Sequence, residues 1–429
     1  MKRVVIVGAG LAGAMLSRVL HASDKCEVTV IDKGPVDSYL LDKKSKNKLA
    51  QVSTYCFGNG GTTNLWHNGL ILPSDNSTKG FSLLEYVNQA AKILGYNGEK
   101  EFDKFVKEIR SSFSNLHTDV LFYPESRMKI VAEYNECYFN SDVVDISING
   151  GVVDSIKIKT KSGSTNVSGD VFIFSCGGLG TPRLLKKLNL LQSGMSFIDH
   201  PMGFVGKVQI KRNFLELFSS LVSRKVSGGE VKTAIVCDIG GLRSALYFRP
   251  AFLNSNNKSI VKYKSLLGAS SGVELINNLF DKRIFHPDII SEVAYKLFGL
   301  HFRRSVLSLM LVCEQIKTNN LLSMDRAELR ISSEEINIYR QHICYYNKLL
   351  AGYCQSMDIE ESLSEDDLWS AAHYSGGDCL SDVVDADSLK YVDLDNLYVC
   401  DGSVLSSHSY TNTGLEIVAR ALKLAESIK

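Results

Sequence analysis

The chain has 429 residues, 45% hydrophobic and 22% charged, the proportions of a globular protein of two or three domains at about 150 residues each. Lys+Arg 48 against Asp+Glu 47 leaves a net charge of +1, which excludes a general basic design for nucleic acid. A mean hydropathy of -0.01, with Ser305–Cys313 the longest uncharged apolar run, excludes a transmembrane helix.

In chain order, Arg3–Val7 reads as a buried strand, Leu11–Leu20 as a helix and Glu27–Asp32 as a second strand. Asp42–Lys48 is Lys-rich and polar, a surface loop, and Phe57–Gly61 is glycine-rich. Leu83–Leu94 and Glu99–Phe113 space their apolar residues as helices do, while Val152–Thr160 and Val171–Ser175 read as strands. From about Gly203 to Asp367, strands (Lys207–Lys211, Lys232–Asp238, Ala245–Phe248, Ser305–Cys313) mix with helices. Ser333–Met357 is the clearest of these helices, opened by the capping-box pair Ser332 and Glu335. The end runs as strand Leu397–Cys400, a loop, and helix Thr413–Ser427. Met1-Lys2-Arg3 passes straight into the first strand, unlike a secretory leader. The ten cysteines include no C-x-x-C pair and are expected to be reduced. Both features give the expectation of a cytoplasmic protein.

Gly8-Ala9-Gly10-Leu11-Ala12-Gly13 is a G-x-G-x-x-G turn between a strand and a helix. Gly8 permits the tight turn, Gly10 lets backbone approach a pyrophosphate, and Gly13 lets the helix pack closely on the sheet. The helix N-terminus offers unpaired N–H groups to the phosphates. Asp32, followed by Lys33, ends the second strand 19 positions after Gly13, where a carboxylate can accept ribose hydroxyls. The context implies a bound dinucleotide and leaves NAD and FAD both open.

Further motifs follow in order. They are Asn59-Gly60-Gly61-Thr62-Thr63-Asn64-Leu65-Trp66-His67-Asn68-Gly69, then Ser175-Cys176-Gly177-Gly178-Leu179-Gly180-Thr181-Pro182, then Asp199-His200-Pro201. Near the end come His373-Tyr374-Ser375-Gly376-Gly377-Asp378-Cys379, Asn396-Leu397-Tyr398-Val399-Cys400-Asp401-Gly402-Ser403 and Ser409-Tyr410-Thr411-Asn412-Thr413-Gly414. As an ordered set these resemble the glucose–methanol–choline (GMC) oxidoreductases, FAD-dependent alcohol oxidases and dehydrogenases; about Phe204 to Trp369 is not covered. The resemblance implies an α/β fold. A discontinuous, doubly wound Rossmann-type FAD domain would comprise residues 1–75, 130–205 and 371–429. A second α+β domain, 76–129 and 206–370, would cover the flavin face.

By the same resemblance, Gly60 and Gly61 lie against the FAD pyrophosphate, and Thr63, Asn64 and Trp66 run past the isoalloxazine. Val143 meets the adenine through its backbone. Cys176 and Gly177 flank the adenosine, Asp401 and Gly402 hold the ribityl and pyrophosphate, and Asn412 and Thr413 open a helix aimed at the flavin N1 edge. Leu65 occupies the position of the flavin-linked histidine of some members, and leucine forms no such bond, so FAD is expected to be non-covalent.

Alcohol oxidation needs a base with a pKa near the working pH, which favours histidine. His373 matches the family's catalytic histidine. Asn412 matches the second catalytic position and, being unable to take a proton, would position the substrate oxygen. His67 and His408 are secondary candidates for substrate contact. Asp378 departs from the family pattern beside His373. His200 is expected to be structural, at an interdomain corner. Arg303-Arg304, Lys282-Arg283 and Asp366-Asp367 are expected at solvated faces or caps, and no histidine has companions at metal-ligand spacing. The expected function is FAD-dependent oxidation of a CH–OH group in a small molecule. Gly60-Gly61 with Trp66 looks nearer the pyranose-oxidising branch, which suggests a sugar or polar alcohol. The alternative is an FAD-dependent lyase or an enzyme acting on an amine or polymer-bound substrate, since a fold does not fix a function.

Overall fold

The computed structural model describes residues 1–42, 54–66, 69–72, 84–98, 100–114, 116–126, 128–253, 257–269, 280–315, 320–407 and 413–429. Val4-Val5-Ile6-Val7 is apolar on both faces, a pattern stable only where both faces of a sheet are covered. It lies at the centre of a five-stranded parallel sheet in the order Leu397–Val399, Val171–Phe174, Lys2–Val7, Cys26–Ile31, Glu136–Tyr138. Val4 and Ile6 pack with helices Leu11–His21 and Gly414–Ile428. Val5 and Val7 pack on the other side against Val153, Ile156 and Ile158, which belong to the antiparallel meander Asp142–Asn149, Val152–Thr160, Gly163–Ser168. The helix Leu84–Ile93 lies on the C-terminal helix, with Tyr86 Oη donating to Glu426 at 2.7 Å.

The second sheet is antiparallel. Its path is Cys354–Ile359, Pro201–Ile210, Val306–Cys313, Leu242–Pro250, Gly229–Ile239, His117–Pro124, Leu70–Ile71, with Arg224–Val226 and Trp369–Ser370 pairing at its margins. Strand alternation divides its residues. Ile235 and Leu246 join the core with Tyr339, Ile343 and Tyr346 of the helix Ser333–Leu350. Ala234, Tyr247, Met310 and Val312 cluster separately.

The capping box is present as expected: Ser332 Oγ accepts from Glu335 N at 3.1 Å, and Ser332 N donates to Glu335 Oε2 at 2.8 Å. The helix it opens ends at Leu350 rather than Met357, because Cys354–Ile359 pairs as an edge strand with Pro201–Ile210. Those ladder bonds satisfy backbone groups that a longer helix would have served. Leu70–Ile71 and Pro201–Ile210 belong to the second sheet, and Leu84–Ile93 belongs to the first layer. The expected loop Asp42–Lys48 lies, from residue 43 on, outside the described residues. All ten cysteines are free thiols. Among the described residues no helix is long and apolar enough to cross a membrane.

Candidate active site

A cavity of about 1970 Å³ runs from the first glycine turn, past His373, to the face of the antiparallel sheet. Gly8 has φ 108, and its N–H donates to Ile31 O at 2.8 Å, which fixes the turn. A side chain on Gly8 would collide with the Ser175 carbonyl, and one on Gly13 with the Gly8 carbonyl. Gly10 differs, because a Cβ there would meet nothing within 4 Å. Its missing side chain leaves open space over the helix N-terminus. The second glycine cluster closes onto the first: Gly60 N donates to Ala9 O at 2.8 Å, and a Cβ on Gly61 would lie 2.7 Å from Gly10 Cα.

Two buried carboxylates fasten this backbone. Asp32 Oδ2 accepts from Ala9 N at 2.8 Å, and its Oδ1 accepts from Gly34 N and Gly58 N, each at 2.7 Å. Burial pushes the Asp32 carboxyl up, and the three N–H donors oppose that shift. Asp401 Oδ2 accepts from Gly177 N at 2.8 Å and Thr181 Oγ1 at 2.5 Å, and its Oδ1 accepts from Ser403 N at 2.7 Å. A carboxylate has about four acceptor sites. Asp32 therefore keeps roughly one for a ligand, where the sequence suggested a carboxylate devoted to ribose.

The C-terminal helix reaches the same place. A Cβ on Gly414 would lie 2.5 Å from Trp66 Cζ3 and 3.5 Å from Leu11 Cδ2, so three distant motifs meet there. The Trp66 indole N–H is buried without a hydrogen-bond partner among the described residues, beside the cavity it lines. Open space at Gly10, a helix N-terminus and an orphaned indole N–H suit a large ligand with phosphate and polar ring acceptors.

At the junction of the two sheets, His373 Nδ1 lies 2.8 Å from His200 Nδ1, with the rings T-shaped at 5.1 Å. Asp199 organises the pair through backbone: His200 N and His373 N donate to its Oδ1 at 2.8 and 2.9 Å, and Ser370 Oγ donates to its Oδ2. Ala372, just before His373, has φ 62, a conformation costly without glycine, and its N–H donates to Ser370 Oγ at 3.0 Å. Burial lowers the His373 imidazole to about 4 and raises the Asp199 carboxyl to about 6. His373 lines the cavity, whereas His200 is fully buried. Only one of two facing Nδ1 atoms can carry hydrogen without repulsion. If His373 is that donor, its Nε2 holds a lone pair and can take a proton.

Residues 337–421 match the family model for GMC oxidoreductase. The C-terminal part of the chain is thus similar to the GMC oxidoreductases. No curated protein sequence matches it significantly. Among solved structures, pyridoxine 4-oxidase from Mesorbium loti is similar at 13% identity and TM-score 0.57, covering 100% of this chain and 99% of that one. Formate oxidase is similar at 15% identity and TM-score 0.58, covering 100% and 98%. An Aspergillus oryzae RIB40 formate oxidase variant, from work on FAD modification, gives 14% identity and TM-score 0.58, covering 100% and 98%. These likenesses show a shared fold over the whole chain, including the segment from about Phe204 to Trp369 that the motifs left uncovered. The protein is an FAD-dependent oxidoreductase.

The cavity brings together Gly8, Gly10, Leu11, Ala12, Asp32, Lys33, Gly61, Thr63, Asn64, Trp66, Val143, Cys176, Gly177, His373, Asp401, Gly402 and Thr413. Gly13 and Gly60 stand behind this lining and shape it. Thr63 and Asn64 also bind their own loop, Thr63 Oγ1 donating to Gly60 O and Asn64 Nδ2 to Gly61 O at 2.5 and 2.8 Å. The Val143 carbonyl accepts from Lys187 Nζ at 2.6 Å. Lys33 Nζ sits 5.3 Å from the Phe57 ring centre. Burial holds the Cys176 thiol far above its usual range, so it is no nucleophile. His67, His408 and Asn412 lie outside the described residues.

Several sequence readings change. His200 sits at the corner as expected but also holds the His373 ring, a contact that Asp199-His200-Pro201 does not announce. Asp378 is exposed, in the turn where Cys379 N donates to Gly376 O at 3.2 Å, and does not line the cavity among the described residues. Arg304, expected on a solvated face, is exposed but borders the cavity. Asp367 is a cap, accepting from Ser364 N at 2.9 Å. Tyr55 was not anticipated: its hydroxyl donates to the Cys176 carbonyl, and its ring lies against Gly177. Asp199 and Trp369 were likewise missed as site residues; Trp369 is buried, tilted on Phe204 at 5.9 Å. No spacing rule marks any of these. Among the described residues no group of three His, Cys, Asp or Glu side chains could hold a metal ion.

Proposed function

We propose that the protein oxidises the CH–OH group of a small polar alcohol, a sugar-like one first among them, with His373 as the base. The observation that carries this reading is the His373–His200 pair at the cavity wall. It holds an uncharged imidazole by one nitrogen and leaves the other for a substrate hydroxyl. Bound FAD supplies the hydride acceptor. The Gly8–Gly13 turn and the N-terminus of the helix Leu11–His21 hold its phosphates, with Gly60 and Gly61 closing over them. Asp32 takes one ribose hydroxyl with its remaining acceptor site. Val143, Cys176 and Gly177 flank the adenosine, Asp401 and Gly402 border the ribityl chain, and Thr63, Asn64 and Trp66 run along the isoalloxazine. Thr413 caps the C-terminal helix Gly414–Ile428, whose positive end favours charge developing nearby. Asn412 positions the substrate oxygen; His67 and His408 are further substrate contacts. The apolar wall of Leu121, Met202, Met310 and Trp369 excludes water from the reacting carbon.

Leu65 stands where a linking histidine would be, so FAD is held without a covalent bond. Acid precipitation should release all the yellow chromophore; flavin left in the pellet overturns this. The reaction is tested by mixing the anaerobic holoenzyme with alcohol and amine panels and following flavin absorbance. Bleaching by alcohols is expected, and bleaching by amines alone refutes the reading.

A further inference from the structure

Beyond His373 the cavity continues to a wall that alcohol oxidation does not explain. Lys232, Tyr247 and Arg249 alternate onto one face of the strands Gly229–Ile239 and Leu242–Pro250. Lys264 of the helix Lys258–Ala269 and Glu292 of the helix Pro287–Phe298 stand opposite. Cations exceed carboxylates here: Lys232, Arg249 and Lys264 stand in the wall with Glu230 and Glu292, while the exposed Arg304 borders it, with Arg224 and Lys225 at the rim.

The carboxylates already have partners. Glu292 takes Arg249 Nη2 and lies 3.1 Å from Lys264 Nζ. Glu230 accepts from Ser223 Oγ at 2.5 Å, with Lys232 Nζ and Lys225 Nζ each 3.7 Å away. Two polar nitrogens on the wall remain buried with no hydrogen-bond partner among the described residues, Arg249 Nε and His301 Nε2. Lys232 Nζ lies 4.4 Å from the centre of the Tyr123 ring, and burial pulls its ammonium down to about 8. A buried excess of cations is costly unless an anion joins it. An arginine N–H with no acceptor is a donor for a planar or tetrahedral oxyanion.

We propose that this arm binds an anionic group, a carboxylate or phosphate ester, carried by the alcohol substrate, with Arg249 and Lys232 as its principal ligands. The inference rests on the reading of the protein as an alcohol-oxidising enzyme. It makes the substrate a hydroxy acid or a phosphorylated polyol rather than a neutral sugar. The neutral end of the cavity, near His373 and Trp369, holds the carbon to be oxidised, and the charged end sets its distance.

The test uses holoenzyme at low salt. Glucose, gluconate and glucose 6-phosphate are compared in anaerobic flavin reduction, and binding of gluconate, glucose 6-phosphate and inorganic phosphate is measured by calorimetry. At least one anion should bind about 10-fold or more tightly than glucose. Arg249→Gln and Lys232→Gln should each cut that binding by about 10- to 100-fold, the loss of a charge-assisted hydrogen bond. Gluconate against glucose 6-phosphate separates carboxylate from phosphate. Circular dichroism and flavin content verify folding, and if Arg249→Gln does not fold, Lys232→Gln decides. Anions binding no better than glucose, or a preference that survives the substitution in a folded variant, overturns the proposal. Anion binding sensitive to Arg249 or Lys232, without flavin reduction by any alcohol, leaves the arm standing and refutes the alcohol-oxidation reading.

Discussion

Where the parallel sheet meets the cavity, glycine backbone forms part of the lining at Gly8, Gly10, Gly61 and Gly177, fastened by Asp32 and Asp401 through neighbouring N–H donors. Where the antiparallel sheet meets it, side chains form the lining: Leu121, Lys232, Tyr247, Arg249 and Met310 on alternate strand positions. A backbone cradle requires particular residues at particular spacings, because only glycine fits a close approach or a positive φ. A side-chain wall requires only that something of suitable size and charge fill each position, so it can change with the substrate. The His373–His200 pair sits at the seam, one partner on each of the two segments joined by the Ile198–Ser375 bridge.

Removing the proposed base at the seam should have the largest effect. His373→Ala is expected to slow flavin reduction by about 10²–10⁴ per bound flavin with flavin content unchanged. A wild-type rate in single-turnover measurements would move His373 from chemistry to structure. Because burial lowers the His373 imidazole to about 4, it stays uncharged over the neutral range. The wild-type rate should therefore hold as pH falls to about 5 and drop through about 4, since imidazolium takes no proton. A midpoint near the ordinary histidine value would show that the ring is solvated in the working enzyme.

On the backbone side, Gly13→Ala should cost about 3 kcal/mol, because its methyl group has no room against the Gly8 carbonyl. Gly10→Ala should leave thermal stability of the flavin-free protein unchanged and weaken FAD binding about 10-fold, since its methyl group enters the open space. Equal loss of stability in the two variants would break the distinction between packing and ligand glycines.

Asp32→Ala should destabilise the flavin-free protein as well as weaken FAD binding, by about 2–3 kcal/mol, because three backbone donors lose their acceptor. A variant with weaker FAD binding and unchanged unfolding midpoint would assign the carboxylate to ribose alone.

The smallest effect concerns ring placement. His200→Ala should slow reduction by about 10-fold, and His200→Asn, whose amide oxygen can accept from an imidazole N–H, should recover part of it. Equal rates in both variants, normalised to bound flavin, would show that the Nδ1–Nδ1 contact does not hold the base in place.

The sequence by itself determined the nucleotide half. Gly8, Gly10, Gly13 and Asp32 have their meaning within about 25 residues, and the run Val4–Val7 already requires a sheet covered on both sides. The Ser332–Glu335 capping box likewise placed a helix start, because capping is local. It could not place the end, since Cys354–Ile359 becomes a strand only through pairing with Pro201–Ile210. Tertiary structure alone decided that Asp32 is shared among three backbone donors, that His200 touches His373 across 173 positions, and that Arg249 and Lys232 face one cavity. Those contacts depend on strand register and on packing between distant segments. A one-residue slip in register would turn Lys232 and Arg249 to the opposite face without changing any local pattern in the chain.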